Sequence, residues 1–355
     1  MTLTAEASEH GLRHTVLIAS YIEPELVERV REATPDVEVI YRPDLLRPPR
    51  YAADHKGAER DRTSEEEGEW LECLGRATIL FDFDQTHLSD LPEVAPSVRW
   101  IQSTSSGIGQ FVLRQDYARR MPGTVITTAS GVHAIPLAEF ATMSMLMHSR
   151  GAMHTLEAQG RKHWERYAGT DLAGRTALVV GLGSIGTEVA RMARSLGLLV
   201  VGVKRHPDDA QVDPPVDVLI GPSELAAHLP EADFLVLIAP HTDETEGMIG
   251  SDELAALPRG SALINIGRGA LVDEVALVEA LRSGHLGGAY LDVFAEEPLP
   301  LESPLWSMPN VLVSPHSAST SDRENSRLVE LFCENLRRYL ADEPMLNVLE
   351  AGHLY

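Results

Sequence analysis

The chain has 355 residues, enough for two domains of about 150 residues each. It carries 30 Lys and Arg against 53 Asp and Glu, a formal net charge of −23. This charge argues against nucleic acid and against an anionic membrane surface as partners. The hydrophobic content of 44% is that of a packed globular protein. The two cysteines, Cys73 and Cys333, exclude a disulfide scaffold or a cysteine-rich metal site and favour a reducing compartment.

Neither a targeting signal nor a membrane span is visible in the sequence. The first ten residues are polar and acidic and lack the basic and apolar regions of a signal peptide. No apolar run reaches the ~18 residues that a membrane span needs. We therefore expect a soluble, cytoplasmic protein.

The N-terminal third alternates predicted strands and helices. Apolar spacing predicts a helix over Glu23–Ala33. Short apolar runs predict strands at 14–20, 37–41, 77–81 and 98–103. This alternation predicts a mostly parallel sheet.

Arg42–Glu69 interrupts that pattern with three prolines, many charges and few apolar residues. We expect a long loop that runs into a helix near Glu65. Two interpretations stay open, because long loops in compact domains are often functional. The segment is either a solvated insertion or a flap over an active site that uses one of Arg47, Arg50, Tyr51 and His55.

The pattern changes near Pro136, where Leu137–His148 is predicted as a helix rich in Ala, Met and Leu. Short β-branched runs then predict up to seven strands, at 176–180, 199–203, 216–220, 234–238, 261–266, 288–293 and 311–314. With helices between them, they indicate a doubly wound nucleotide-binding domain. A long amphipathic helix is predicted over Arg323–Leu340.

The sharpest local motif is Gly181-Leu182-Gly183-Ser184-Ile185-Gly186. It follows a predicted strand and opens a predicted helix over Thr187–Leu196, which is the context that a dinucleotide fingerprint requires. The first glycine permits a tight turn, the second lets backbone N–H groups reach a pyrophosphate, and the third lets the helix pack on the sheet. The N-terminus of the helix adds positive potential for the phosphates. The motif predicts a dinucleotide site.

The end of the next strand selects the cofactor. An NAD site normally has Asp or Glu there to bind the ribose 2′-hydroxyl. This sequence has Lys204 and Arg205 instead, and cations suit a 2′-phosphate. We therefore favour NADP(H), with NAD(H) possible if both are ordinary surface charges.

Three polar residues follow predicted strands in the second half: Arg268, Glu297 and His316. Reduction of a ketone by hydride requires a proton donor for the nascent alkoxide, and histidine suits this role. A neighbouring carboxylate would orient the ring and stabilise its protonated form. Arginine can bind a substrate carboxylate through two parallel hydrogen bonds. Together these groups suit reduction of a 2-keto acid.

The stretch from Ala173 to Ala318 resembles the D-isomer-specific 2-hydroxyacid dehydrogenase family. The matching segments are LAGRTALVVGLGSIG, APHTDETEGMIG, LINIGRGALVDEVALVEAL, GAYLDVFAEEPLP and PLWSMPNVLVSPHSA. The resemblance implies a catalytic Arg268, Glu297 and His316. It implies cofactor contacts, together with Lys204 and Arg205, at Gly181, Gly183, Ser184, Ile185, Gly186, Pro240, Thr245, Ile266 and Asp292, the last meeting the nicotinamide carboxamide.

The resemblance also implies the domain organisation: two Rossmann-like or flavodoxin-like α/β domains with parallel sheets and an active-site cleft between them. Residues 1–133 with 319–355 would form the substrate-binding domain, and 134–318 the dinucleotide-binding domain. Ser106 and Gly107 resemble the loop that binds the substrate carboxylate, together with Arg268. Gly109 stands where Asp is frequent, Thr128 where Asn is frequent, and Lys204 replaces the common cofactor-selecting Asp.

The expected function is NAD(P)H-dependent interconversion of a 2-keto acid and a D-2-hydroxy acid, with glyoxylate and hydroxypyruvate as first candidates. The resemblance implies a homodimer, with Leu137–Met153 as a candidate interface or, equally, internal core. No metal is expected. One rival is a formate dehydrogenase, a relative that lacks the acid–base glutamate, so Glu297 speaks against it. The other is a nucleotide-sensing corepressor on the same fold.

Overall fold

The computed structural model describes residues 14–207 and 214–349. Contacts divide these residues into two compact units. Residues 14–132 with 321–349 form the first unit, and the described residues between 133 and 320 form the second.

The first unit is built on a five-stranded sheet in which all the strands are parallel. Its order is β2-β1-β3-β4-β5. The strands are β1 (Thr15–Ile18), β2 (Glu38–Ile40), β3 (Ile79–Phe81), β4 (Trp100–Gln102) and β5 (Val125–Thr127). The helices before the second unit are α1 (Pro24–Ala33), α2 (Ser64–Arg76), α3 (Leu91–Val94), α4 (Gly109–Arg114) and α5 (Tyr117–Arg120).

The second unit has a seven-stranded sheet, again with parallel pairing throughout. Its strands are β6 (Thr176–Val180), β7 (Leu199–Val203), β8 (Val218–Ile220), β9 (Phe234–Leu237), β10 (Ala262–Asn265), β11 (Gly288–Leu291) and β12 (Val311–Val313). Its helices are α6 (Ala134–Ser149), α7 (Ala152–Gly160), α8 (Ser184–Ser195), α9 (Leu225–His228), α10 (Ser251–Ala256) and α11 (Glu274–Arg282). The chain then returns to the first unit as α12 (Glu324–Leu340).

The strand order of the second sheet, β12-β11-β10-β9-β6-β7-β8, is that of a doubly wound fold. The order reverses between β6 and β9, and ligands bind outside the carboxyl ends of the strands at such a switch point. The two-domain α/β fold with parallel sheets is therefore confirmed. All seven strands predicted for this half are present.

The helix α6 is apolar on more than one side. Leu137, Ala141 and Met145 are buried in the core that α6 shares with α8. Met143 and Leu146 are each 40% exposed. One face of α6 is therefore internal core, and another presents apolar side chains to solvent.

The helix α12 completes the core of the first unit. Phe332 stacks on Trp100 with ring centroids 5.1 Å apart and meets Phe81 edge-on at the same distance. The C-terminal helix therefore belongs to the same core as the first strands. In the part of the chain that the structure describes, no helix is long and apolar enough to cross a bilayer.

Candidate active site

The glycine loop lies between β6 and α8, at the switch point of the second sheet. Gly181 has a φ of 108°, and a Cβ there would come within 2.8 Å of the Ala239 nitrogen. A Cβ on Gly186 would overlap the Gly181 carbonyl oxygen. Gly183 differs, because a Cβ there would meet no protein atom within 4 Å. The first and third glycines thus serve the packing of the loop, and the second faces open space at the N-terminus of α8, as a phosphate cradle requires.

Ser184 and Ile185 form the first turn of α8, where backbone N–H groups lack helical partners. Lys204 follows β7 directly and is half-buried, whereas Arg205 is exposed. Arg205 donates to Glu244 over 2.7 Å. The two cations therefore stand where the sequence predicts them, and one of them is partly neutralised by a carboxylate 39 residues away.

The loop after β9 holds two further predicted cofactor residues. The Thr245 hydroxyl donates to the Pro240 carbonyl over 2.7 Å and accepts from the Thr242 N–H at 2.8 Å. Ile266, the residue after β10, is 4% exposed. All these positions lie at the carboxyl edge of the second sheet.

Glu297 and His316 are in direct contact. His316 Nδ1 lies 2.7 Å from Glu297 Oε2, and Glu297 Oε1 accepts from the Phe294 N–H at 3.0 Å. A carboxylate only accepts, so Nδ1 carries the hydrogen. Nε2 of His316 has no partner within 14–207 and 214–349. The pair can therefore hold a proton at Nε2 and offer it to a ligand.

Arg268 follows β10 and is half-buried. Burial lowers the pKa of its guanidinium, and the nearby charge of Glu297 opposes that effect. Asn265 orients the loop, because its amide donates to the Arg268 carbonyl at 2.9 Å and accepts from the Gly267 N–H at 3.1 Å. A Cβ on Gly269 would overlap the Phe294 backbone. The Arg268 loop thus lies directly against the segment that leads to Glu297.

Asp292 has a structural role that the sequence did not suggest. Its Oδ1 accepts from the Ser314 hydroxyl at 2.5 Å and from the N–H groups of Ser317 and Ala318 at 2.8 and 2.9 Å. Burial raises the pKa of this carboxyl group, and these hydrogen bonds oppose the shift. His316, with a φ of 51°, lies inside the segment held in this way. Asp292 therefore positions the His316 loop.

Ser106 and Gly107 lie in the first unit, in the loop after β4. Ser105 anchors this loop, since its N–H donates to the Ser103 hydroxyl at 3.0 Å and its carbonyl accepts from Ala129 at 3.1 Å. Among the described residues, the N–H groups of Ser106 and Gly107 donate to no protein acceptor. They are available to an anion.

Comparison with known proteins agrees with this geometry. A family model for the NAD-binding domain of D-isomer-specific 2-hydroxyacid dehydrogenases matches residues 142–318. The chain is 33% identical over 253 residues to a glyoxylate reductase of Korarchaeum cryptofilum, covering 69% of this chain and 74% of that protein.

Two solved structures extend the similarity to almost the whole chain. A D-isomer-specific 2-hydroxyacid dehydrogenase family protein from Aeromonas salmonicida superposes with a TM-score of 0.77 at 27% identity, covering 96% of this chain and 99% of that one. An NADPH-dependent glyoxylate/hydroxypyruvate reductase from Sinorhizobium meliloti, solved with NADP and sulfate, gives 0.74 at 26% identity, covering 96% and 100%.

These relatives are enzymes or members of an enzyme family, so the corepressor alternative is not supported. Because the similarity includes the glycine loop and the three polar residues after β10, β11 and β12, the chain belongs to the D-isomer-specific 2-hydroxyacid dehydrogenase family and is an NAD(P)-dependent oxidoreductase of 2-hydroxy acids.

Proposed function

We propose that Arg268, Glu297 and His316 perform the acid–base chemistry and substrate binding of this reaction on a small 2-keto acid, with NADP(H) favoured. The observation that carries the proposal is the 2.7 Å contact between Glu297 and His316. It leaves Nε2 of the imidazole available to a substrate oxygen, and the half-buried guanidinium of Arg268 interacts with the charge of Glu297.

In the direction of reduction, the glycine loop and the N-terminus of α8 would hold a nicotinamide cofactor, which would supply the hydride for the keto carbon. His316 donates the proton on Nε2 to the carbonyl oxygen as that oxygen becomes an alkoxide. Glu297 holds the ring by Nδ1 and stabilises its positive charge. Arg268 binds the substrate carboxylate and polarises the ketone. The N–H groups of Ser106 and Gly107 are the other proposed contacts for the substrate carboxylate, and the second oxygen of Asp292, Oδ2, would accept from the nicotinamide carboxamide.

The preference for NADP(H) rests on Lys204 and Arg205, which follow β7 where an NAD site has a carboxylate. Arg205 would exchange its contact with Glu244 for one with the 2′-phosphate. The Sinorhizobium meliloti relative, solved with NADP, supports this assignment. Glyoxylate and hydroxypyruvate are the proposed first substrates, because they are the acids that the names of the relatives give.

Loss of reduced-nicotinamide absorbance tests the proposal. The wild type is assayed with glyoxylate, hydroxypyruvate and bulkier 2-keto acids, each with NADPH and with NADH. We expect turnover that prefers NADPH, and a loss of about 10²- to 10⁴-fold in kcat for His316→Ala with an unchanged Kd for NADPH. Near-normal turnover by His316→Ala would remove the histidine from the mechanism.

The domain roles and the location follow from the same interpretation. Residues 1–133 with 319–355 would bind the substrate, and 134–318 the dinucleotide. Cys73 and Cys333 are both free, which supports a reducing, cytoplasmic location. The acidic net charge of −23 supports a small molecule as the partner, with neither nucleic acid nor membrane.

A homodimer is proposed from the exposed face of α6. A helix that is hydrophobic all round is normally buried, yet Ile135, Met143 and Leu146 are 43, 40 and 40% exposed. Trp164, farther along the same unit, is 95% exposed. A second copy of the chain would bury this surface.

Sedimentation velocity of Met143→Glu tests the dimer. Val275→Glu is the control, because Val275 is 81% exposed on another helix. We expect Met143→Glu to weaken the dimer and Val275→Glu to leave it intact. A monomeric wild type, or a dimer indifferent to Met143→Glu, would contradict the proposal.

A further inference from the structure

A small polar depression lies at the carboxyl edge of the first sheet, outside the catalytic trio. It is formed by the residue after β1, the loop between β2 and α2, and the residues after β3, and its lining includes Ser20, Arg47, His55, Lys56, Arg62 and Asp84. Its volume is about 10 Å³, close to the smallest space that holds one water molecule. The depression therefore suits a single charged oxygen at the end of a ligand better than an apolar side chain.

The loop that carries Arg47 and His55 is held together by its own contacts. Arg50 donates to Asp54 at 2.7 Å, and Asp54 also accepts from the Gly57 N–H at 3.2 Å. The Ala58 N–H donates to the Pro48 carbonyl at 2.8 Å. Leu45 and Leu46 are buried in the core of the unit. The segment is thus tied to the first unit and to itself at several points.

Two of the charged groups that line the depression are already satisfied. Arg62 donates to Glu67 and to the Leu45 carbonyl. Asp84 accepts from the Trp70 indole and from Thr86. Neither needs a further partner.

Arg47 and Lys56 are not paired in this way, and His55 is paired only in part. Nε of Arg47 and Nε2 of His55 are buried and make no hydrogen bond. The His55 side chain is 10% exposed, its Nδ1 lies 3.3 Å from the Ser20 hydroxyl, and its Nε2 lies 3.7 Å from a Glu324 oxygen. Lys56 is exposed and has no ion pair among the described residues. Arg47, like Lys56, has no ion pair among the described residues, and guanidinium and ammonium groups around one opening are the chemistry that recognises a carboxylate or another oxyanion.

The depression lies at the same sheet edge as the proposed carboxylate loop. The strands β1 and β4 are separated only by β3, so their carboxyl ends are about 10 Å apart. Arg47 and Lys56 lie in the loop after β2, the outer neighbour of β1, so they and the loop of Ser106 and Gly107 belong to one edge of this sheet, where one extended ligand could present an anionic group to each.

We propose that Arg47, assisted by Lys56 and His55, binds a second anionic group at the far end of the substrate, so that the preferred substrates are 2-keto acids with a distal carboxylate or a similar oxyanion. The proposal rests on the proposed function, because it takes Ser106 and Gly107 as the site of the first carboxylate.

Pairs of acids with matched shape test the proposal. Oxaloacetate is compared with 4-methyl-2-oxopentanoate, and 2-oxoglutarate with 5-methyl-2-oxohexanoate, since an isopropyl group replaces the distal carboxylate at nearly equal volume. Hydroxypyruvate serves as the reference substrate. We expect kcat/KM to be about 10- to 100-fold higher for at least one diacid than for its apolar counterpart. Arg47→Gln should bring this ratio close to one, and Lys56→Gln, at an exposed position, should lower it severalfold.

Arg60→Gln is the matched control. Arg60 lies in the same loop and pairs with Glu66, but does not line the depression. Arg60→Gln should leave the ratio of kcat/KM between each diacid and its apolar counterpart unchanged, even if the substitution loosens the loop. Binding of 2-oxoglutarate in the absence of cofactor is measured by the rise in Tm that it causes. This rise should be present in the wild type and reduced in Arg47→Gln.

Equal efficiency within both pairs, or a diacid preference that survives both Arg47→Gln and Lys56→Gln, would overturn the inference while leaving the reductase intact. The depression would then hold only a water molecule. Absence of turnover with every acid, hydroxypyruvate included, would instead remove the proposed function, and the inference with it.

Discussion

Replacing Asp292 tests whether this residue acts on the His316 loop, on the cofactor, or on both. Asp292→Ala deletes three hydrogen bonds, from Ser314, Ser317 and Ala318. A hydrogen bond to a charged acceptor contributes about 1.5 to 3 kcal/mol. The burial that raises the pKa of this carboxyl group shows that the charge is itself costly to keep there. We therefore expect a net loss of about 2 to 4 kcal/mol in the free energy of unfolding.

The effect on catalysis should exceed the effect on cofactor binding. Without Asp292, nothing in the described part of the chain holds the two N–H groups that follow His316, and a misplacement of about 1 Å can cost 10²-fold in rate. We expect kcat to fall about 100-fold in Asp292→Ala, with a smaller change in the Kd for NADPH. Steady-state kinetics, fluorescence titration with NADPH and urea unfolding measure the three quantities.

Two variants make the interpretation specific. Ser314→Ala removes one of the three hydrogen bonds and should cost about 1 kcal/mol and little rate. Asp292→Asn keeps an oxygen for the backbone N–H groups and should retain more stability than Asp292→Ala. If Asp292→Ala lost cofactor affinity but kept kcat and stability, the residue would serve the nicotinamide alone, and the positioning argument would be wrong.

Three further predictions follow from other contacts. In steady-state kinetics, Gly269→Ala should lower kcat by about 10²-fold, because the added methyl group would force apart the loops of Arg268 and Glu297. Gly75→Ala is the control, because a Cβ at Gly75 would meet nothing within 4 Å. Lys204→Asp combined with Arg205→Ser should lower the NADPH-to-NADH ratio of kcat/KM at least tenfold, and an unchanged ratio would refute the cofactor preference. The contact with Arg50 lowers the pKa of Asp54 to about 2. The stabilisation from the ionised Asp54, about 2 kcal/mol, is therefore present above pH 4 and lost as the pH falls towards 2. In urea unfolding, the stability of Asp54→Asn should depend less on acid than that of the wild type, and parallel pH curves for the two proteins would contradict this prediction.

Much of the second unit could be predicted from sequence because its strands are short, apolar and β-branched. Thr176–Val180 and Leu199–Val203 begin and end where the pattern indicates. The strand β5 and the helices α4 and α5 were not predicted. The helices α4 and α5 span only six and four residues, which is too few to establish a helical period. The strand β5 has only two apolar residues, Val125 and Ile126, with threonines on both sides.

The positions of the candidate catalytic residues were predictable, but the contacts that orient them were not. Arg268, Glu297 and His316 belong to motifs with a characteristic local sequence. Asn265 acts through its own loop backbone, and Asp292 through N–H groups up to 26 residues away. Neither the periodicity nor the residue spacing of the sequence predicts such hydrogen bonds, because they depend on where neighbouring strands end.

The parallel sheet explains why residues so far apart in sequence can act together. Asn265 pairs with Leu291, and Leu291 with Val313, so that β10, β11 and β12 end at the same level of the sheet. Adjacent strands lie about 4.8 Å apart, so the three loops that follow them emerge in one row about 10 Å long. Each loop contributes one candidate catalytic side chain, and each is held by hydrogen bonds to backbone groups of its own or the next loop. A substitution that leaves the three side chains intact but shifts one strand end by a residue would therefore disable the site as surely as removing His316.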